Sequence, residues 1–227
     1  MAERQIVAMG GGGSDEDEAA RLITFLLGLT GKERPRVGFV PTASAENPEL
    51  LVSLYAAFSG RADCSHIPFF PWPPEDLRER ALSQDVLFVG GGNTANMLAV
   101  WRVHGFDAIL REAWEQGTVL SGGSAGMICW FEAGVTDSFG SQLEGMRDGL
   151  GFLPGSACPH YDGEAERRPV YQRLVSEGFP PGLAADDCVA LHFDGTEIAE
   201  VVSARANPGA YRVTAEGEER IEPRLLG

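Results

Sequence analysis

Ser124 is the residue of this sequence best placed to do covalent chemistry. It is the centre of Gly122-Gly123-Ser124-Ala125-Gly126, which fits the G-x-S-x-G spacing of a nucleophile elbow. Residues 118–121 before it read as a short apolar strand, and 127–131 after it as the start of a helix. A serine on so sharp a strand-to-helix turn is held in a strained backbone conformation, so its neighbours must be small, as these four are. The hydroxyl then projects from the sheet edge, beside the N–H groups that open the helix and can stabilise a developing oxyanion. A plain glycine-rich turn has the same composition, so the nucleophile reading needs partners elsewhere in the chain.

The first partner is a base, and histidine is the usual one. His66 lies within an apolar strand, as a packed or edge residue. His104 ends a helix next to Gly105, where a cation suits the dipole. His192 alternates with Leu191 and Phe193 and is expected to point out of a strand. His160 differs: it closes a short predicted strand, 156–160, at the start of a loop, where catalytic residues concentrate. The carboxylate that fixes its tautomer has three candidates. Asp187 lies just before an apolar strand, Asp186 is its neighbour, and Asp137 is nearer the serine in sequence. Each also fits an ordinary solvated turn. One oxyanion donor is the N–H of Ala125. The second must come from another loop, and Gly91 or Gly92 is the natural source, because glycine lets a backbone N–H approach substrate closely.

The elements that must position these groups alternate between strand and helix. Strands are expected at 5–10, 36–44 with its exit loop, 64–70 and 85–89. Helices are expected at 19–29 with Ser14 as N-cap, 48–58, 75–82, 95–103 and 106–115. Such alternation means an α/β fold, a mostly parallel sheet with helices on both faces, whose ligands bind beyond the carboxyl ends of the strands. Residues 90–94 and 122–126 both sit at such ends and should face one crevice. Residues 10–13 read as a tight turn: they show no G-x-G-x-x-G and no Walker lysine, and acids follow at once. Residues 132–155 are expected as loops and short elements over the crevice, 164–178 as a helix, and 183–193 as a turn feeding a strand. Short strands close the chain at 197–204, 210–215 and 219–225. With no repeat or low-complexity linker, residues 1–227 read as one domain.

The formal net charge of -15 argues against nucleic acid and anionic membranes, which need clustered Lys and Arg. Cys64, Cys129, Cys158 and Cys188 form no C-x-x-C pair, which disfavours a structural zinc and suits reduced, buried thiols. No secretory signal pattern opens the sequence and no apolar run approaches ~20 residues. A cytoplasmic protein is the expectation.

Phe88-Val89-Gly90-Gly91-Gly92-Asn93-Thr94, the elbow at Ser124 and Pro159-His160 together resemble the peptidase E (aspartyl dipeptidase) and cyanophycinase family of serine peptidases. The resemblance runs from the first strand to about Phe193. That family is similar in fold to class I glutamine amidotransferases, with serine replacing their cysteine. The resemblance implies Ser124 as nucleophile, His160 as base and Gly92 as the oxyanion glycine. The family acid is typically Glu; Asp187 takes its position here, and a shorter carboxylate must come closer to the ring. Asp137 matches a further position near the site. The preference of peptidase E for N-terminal aspartate implies a basic group, for which Arg167 and Arg168 are candidates, alongside Asn93 as a substrate contact. Arg167 and Arg168 fit equally well as helix-surface charges, and Glu164 and Glu166 could instead meet an α-amino group.

The implied activity is that of a serine exopeptidase on short peptides, without metal or cofactor, in a monomer or homodimer. The rivals are an esterase-type α/β hydrolase with Asp137 as the acid, a non-catalytic amidotransferase-like binding protein, and a glutaminase, which serine in place of cysteine disfavours.

Overall fold

The computed structural model describes residues 3–12 and 15–227. In chain order the elements begin β1 (Gln5–Met9), α1 (Glu16–Gly28), β2 (Arg36–Val40), α2 (Pro48–Phe58), β3 (Asp63–His66), α3 (Leu77–Leu82) and β4 (Val86–Val89). Then come α4 (Thr94–Val103), α5 (Phe106–Glu115), β5 (Val119–Gly123), the single turn α6 (Ala125–Ile128), β6 (Phe131–Thr136), β7 (Glu144–Met146) and β8 (Leu153–Cys158). The chain ends with α7 (Arg167–Ser176), β9 (Gly182–Ala185), β10 (Val189–Asp194), β11 (Glu197–Ser203), β12 (Ala210–Thr214), β13 (Gly217–Ile221) and β14 (Arg224–Leu225).

The first sheet has the order β14-β11-β10-β1-β5-β4-β2-β3. Its β1-β5-β4-β2-β3 half is parallel throughout, as the strand–helix alternation predicts. β10 joins the other side of β1 antiparallel. This reversal matters for the site, because it brings the residues before β10 to the edge where β1 and β5 end.

The sheet's two faces follow the strand period of two. Val7 and Met9 pack with Leu22, Ile23 and Leu26 of α1 and Phe58 of α2. Ile6 and Ala8 face the opposite cluster, with Trp101 of α4, Leu110 and Trp114 of α5 and Met127 of α6. α2 is anchored through Phe58 and Tyr55, which make edge-on contacts with Phe39 at 5.1 and 5.2 Å between ring centres, and through Leu51 and Leu54, packed on the same cluster. Its N-terminus is built as the sequence dictates, with Asn47 capping Glu49 N and Pro48 in the first turn.

Two expectations shift here. Ser14 lies outside the described residues, and Asp15 serves as N-cap of α1, its carboxylate accepting from Asp17 N at 2.8 Å. The helix therefore starts three residues earlier than its apolar pattern, and Glu16, Asp17 and Glu18 occupy the first turn, where acids favour the dipole.

The larger correction is a second, six-stranded sheet of order β13-β12-β9-β8-β6-β7. Much of 132–155, expected as loops and short elements over the crevice, is β6, β7 and the start of β8, strands of this sheet. Its Phe131, Leu153, Ala157, Leu183 and Ala185 join the same buried cluster as Ile6 and Ala8 of the first sheet. Its other face packs Ala133, Val135, Cys158, Ala184 and Val213 against Tyr171 and Val175 of α7. Among the described residues, no helix is long and apolar enough to cross a membrane.

Candidate active site

Ser124 sits between β5 and α6 with φ 58° and ψ -116°. That left-handed value costs a non-glycine residue about 1–3 kcal/mol, and surrounding backbone must enforce it. The enforcement is visible. Ser124 N donates to Met9 O of β1 at 3.3 Å. A Cβ on either Gly122 or Gly126 would collide with Val89 O, so β4, the elbow and α6 meet with no side chain between them. The Ser124 hydroxyl makes no capping bond to its own helix. It opens instead on a cavity of about 440 Å³ that His160 also lines.

His160 follows β8 and also has a positive φ, 53°. Its N–H donates to Gly10 O at 3.0 Å, and Tyr161 N donates to Ala185 O at 3.1 Å, so the loop is tied to both sheets. His160 Nδ1 lies 2.7 Å from Asp187 Oδ1. An ionised carboxylate only accepts, so Nδ1 carries the hydrogen and Nε2 keeps a lone pair, the tautomer a general base requires. No hydrogen bond joins the ring to the Ser124 hydroxyl among the described residues; such bonds are often long before substrate binds.

Asp187 is held from three sides. Its N–H donates to Asp162 Oδ1 at 2.8 Å, and the next residue, Cys188, donates to Gly11 O at 3.1 Å. Gly163 packs against Oδ2 so closely that any side chain there would overlap it. Gly11 lies against the pair itself: a Cβ on it would overlap Asp187 Oδ1 and come within 2.6 Å of His160 Nδ1. The glycines after β1 thus do more than make a tight turn. They leave room for the His–Asp pair, a role that composition alone does not reveal.

Gly90 and Gly91 line the cavity opposite. A Cβ on Gly91 would stand 3.2 Å from Ser124 Cβ and 3.6 Å from Oγ, whereas one on Gly92, at φ 135°, would strike Ala43 O. Gly91 is therefore the glycine that faces the serine, and Gly92 is the one pressed on the turn Thr42–Ser44. Among the described residues, the N–H groups of Gly91, Gly92 and Ala125 have no backbone acceptor. The loop is clamped by Asn93 N to Ala43 O at 2.8 Å, and the turn by Trp101 Nε1 to Thr42 Oγ1 at 3.0 Å.

Several other sequence candidates belong elsewhere. Asn93 caps α4 through Oδ1 to Asn96 N and donates Nδ2 to Ser138 O at 2.9 Å, so its amide is occupied by the scaffold. Arg167 is buried, with Nε on Glu164 and a second nitrogen on Val135 O. Arg168 pairs with Glu218 and lies over the rings of Tyr161 and Tyr211. Neither arginine lines the cavity at Ser124. Asp137 is exposed after β6, and the carboxylate bonded to His160 is that of Asp187.

Asp186, the neighbour of Asp187, turns into the protein and accepts from Gly209 N at 2.7 Å and Tyr211 Oη at 3.4 Å. Burial raises its pKa. His192 is buried too, not outward-facing as its alternation suggests. It bonds Gln5 at 3.0 Å and packs against Phe25 of α1, because both faces of this strand are covered. His66 bonds Tyr55 and His104 caps α4.

The cysteines do not compete as nucleophiles. Burial pushes Cys158 up to about 12, and burial with the Glu18 carboxylate does the same for Cys188. No group of three or more His, Cys, Asp or Glu side chains among the described residues is placed to hold a metal ion.

Comparison with known proteins gives relatives in sequence and in fold. Over 223 residues, 96% of each chain, the sequence is 48% identical to the uncharacterized peptidase YgaJ of Bacillus subtilis (strain 168). A peptidase E of Shewanella denitrificans (strain OS217) is 27% identical over 133 residues, covering 55% of this chain and 57% of that one. Among solved structures, a peptidase from an acI-B1 Actinobacterium superposes with TM-score 0.68 at 15% identity, covering 97% of this chain and 95% of the other. A Listeria monocytogenes EGD-e protein assigned as peptidase E gives 0.64 at 19% identity, over 91% of this chain and all of that one. At such identities the structures share the fold. The profile of Peptidase family S51 matches residues 6–201. The chain belongs to peptidase family S51 and is a serine-type peptidase.

Proposed function

We propose that this chain hydrolyses short peptides as an exopeptidase of the peptidase E type, with Ser124, His160 and Asp187 as its triad. The observation that carries the reading is the strained serine sharing one cavity with a histidine whose far nitrogen is fixed by a carboxylate. Substrate binding shortens the Ser124–His160 approach. Ser124 Oγ attacks the scissile carbonyl carbon as His160 Nε2 takes its proton. The N–H groups of Ala125 and of Gly91 or Gly92, with no backbone acceptor of their own, hold the oxyanion. His160 returns the proton to the leaving amine. A water then adds to the acyl-enzyme by the same path in reverse, and Asp187 keeps the ring oriented throughout. The compact cavity suits a short segment of chain.

The test is labelling with a small serine-directed phosphonate, followed by turnover of a dipeptide panel. Label at Ser124, and loss of both label and turnover in Ser124→Ala, are expected. Turnover that survives in Ser124→Ala ends the mechanism.

A further inference from the structure

We propose that the cavity beside Ser124 is a specificity pocket for an apolar side chain on the acyl side of the scissile bond. The proposal rests on the peptidase reading above and adds the substrate class. The wall facing the catalytic groups is made by Leu50, Leu51, Leu54 and Ala57 of α2, with Phe88 and Pro41. α2 packs Phe58, Tyr55 and part of Leu51 and Leu54 on the core, and the uncovered sides of those two leucines line the cavity with Leu50. Leu50 is left 51% exposed at the mouth, a large apolar surface open to water where a substrate side chain could cover it.

Among the described residues, the cavity offers no lysine or arginine to read a carboxylate, and no Asp or Glu lines it. Ser44 Oγ donates to Pro41 O at 2.9 Å, and Ser53 Oγ donates to Glu49 O at 3.0 Å, so neither hydroxyl hydrogen is available to a ligand. The neighbouring cleft, which shares Ser53 and Ala57, does contain Arg61. That guanidinium is engaged at 3.0 Å with both Ala20 O and Thr24 Oγ1 across α1. An aspartate side chain placed against Leu51 and Leu54 would lose water with no cation to replace it. A leucine, methionine or phenylalanine side chain there would bury apolar surface on apolar surface.

The experiment separates the pocket from the chemistry. Wild type is assayed on Leu-, Phe-, Met-, Gly-, Lys- and Asp-p-nitroanilide. Binding of Leu-Leu and Asp-Leu to Ser124→Ala is measured by calorimetry, where no turnover intervenes. Apolar substrates should exceed Gly and Asp by at least about tenfold in kcat/KM, the scale on which hydrophobic pockets discriminate. Leu-Leu should bind Ser124→Ala at least about tenfold more tightly than Asp-Leu. Leu54→Arg and, at the exposed mouth, Leu50→Arg should lower the apolar preference about tenfold and raise Asp, while phosphonate labelling of Ser124 persists. Labelling of wild type together with an Asp preference, or with no preference, overturns the pocket and leaves the peptidase reading intact. Leu-Leu binding without labelling or turnover overturns the peptidase reading and leaves the pocket.

Discussion

Ser124, Ala125 and Gly91 are held by backbone packed on backbone, whereas His160 and Asp187 are held by side chains and loops drawn from both sheets. The first group follows the parallel neighbours β4 and β5 and opens α6, and the flanking Gly122 and Gly126 both press on Val89 O. The second joins residues 27 apart in sequence, after β8 and before β10. It depends on contacts to Gly10, Gly11, Asp162 and Ala185. The side of the proposed nucleophile is therefore a local motif, and that of the proposed acid–base pair a long-range assembly. The comparison implies different failures: the first should break by chemistry at one atom, the second by displacement.

Four measurements sharpen that contrast, from the largest effect to the smallest. Ser124→Ala removes the proposed nucleophile and should lower kcat by roughly 10⁵–10⁶-fold with the fold retained, as circular dichroism and kcat together would show. Asp187→Asn leaves the shape but offers a hydrogen-bond donor that permits the wrong tautomer, for a loss of about 10⁴-fold in kcat. Asp186→Asn and Asp137→Asn should stay near wild type in the same assay. If Asp186→Asn matches Asp187→Asn, the assignment of the acid is wrong.

Gly11→Ala forces a methyl into the His–Asp contact. A displacement of that size costs on the order of 10²-fold in kcat/KM, with little change in KM. Unchanged kinetics in Gly11→Ala would contradict the crowding described here.

The smallest effect is on stability. Burial depresses the His192 pKa below 6.5 in the folded chain. The unfolded chain then binds the proton more readily, so this contribution is complete above about pH 6.5 and is lost as pH falls from there through the folded value. Urea midpoints at pH 7.5 and 5.5 should differ more for wild type than for His192→Gln, which keeps a partner for Gln5 without titrating.

The same contrast explains what was legible in the sequence. The elbow announced itself, because its chemistry needs small residues in one short run. The parallel half-sheet did too, because its strands are apolar and alternate with amphipathic helices. The second sheet did not. β8 is Leu-Pro-Gly-Ser-Ala-Cys and β9 is Gly-Leu-Ala-Ala, poor in the branched and aromatic residues that mark a strand. The structure supplies the reason: Gly155 and Gly182 lie where any side chain would overlap the backbone of Pro181 or Ser156, and Gly134 where one would meet Ile128 and Ala157. His160 was readable as a strand-end histidine. Its contact with Gly11 was not, since nothing in a glycine's neighbours states what its missing side chain makes room for. Arg167 and Arg168 carried charge suited to a carboxylate, but the structure buries Arg167 on Glu164 and pairs the exposed Arg168 with Glu218, and neither lines the cavity at Ser124.

The convergence of Gly122 and Gly126 on Val89 O also governs how such a protein can change over generations. An obstacle made of main chain cannot step aside by rotating a bond, so these positions tolerate no larger residue. The leucines of α2 stand on the cavity's far wall, on a helix secured through Phe58. Random variation is therefore filtered unevenly around a single active centre. On the proposed reading, substitutions on α2 would retarget the enzyme while the spacing between Ser124 and the N–H groups of Ala125 and Gly91 stays unaltered.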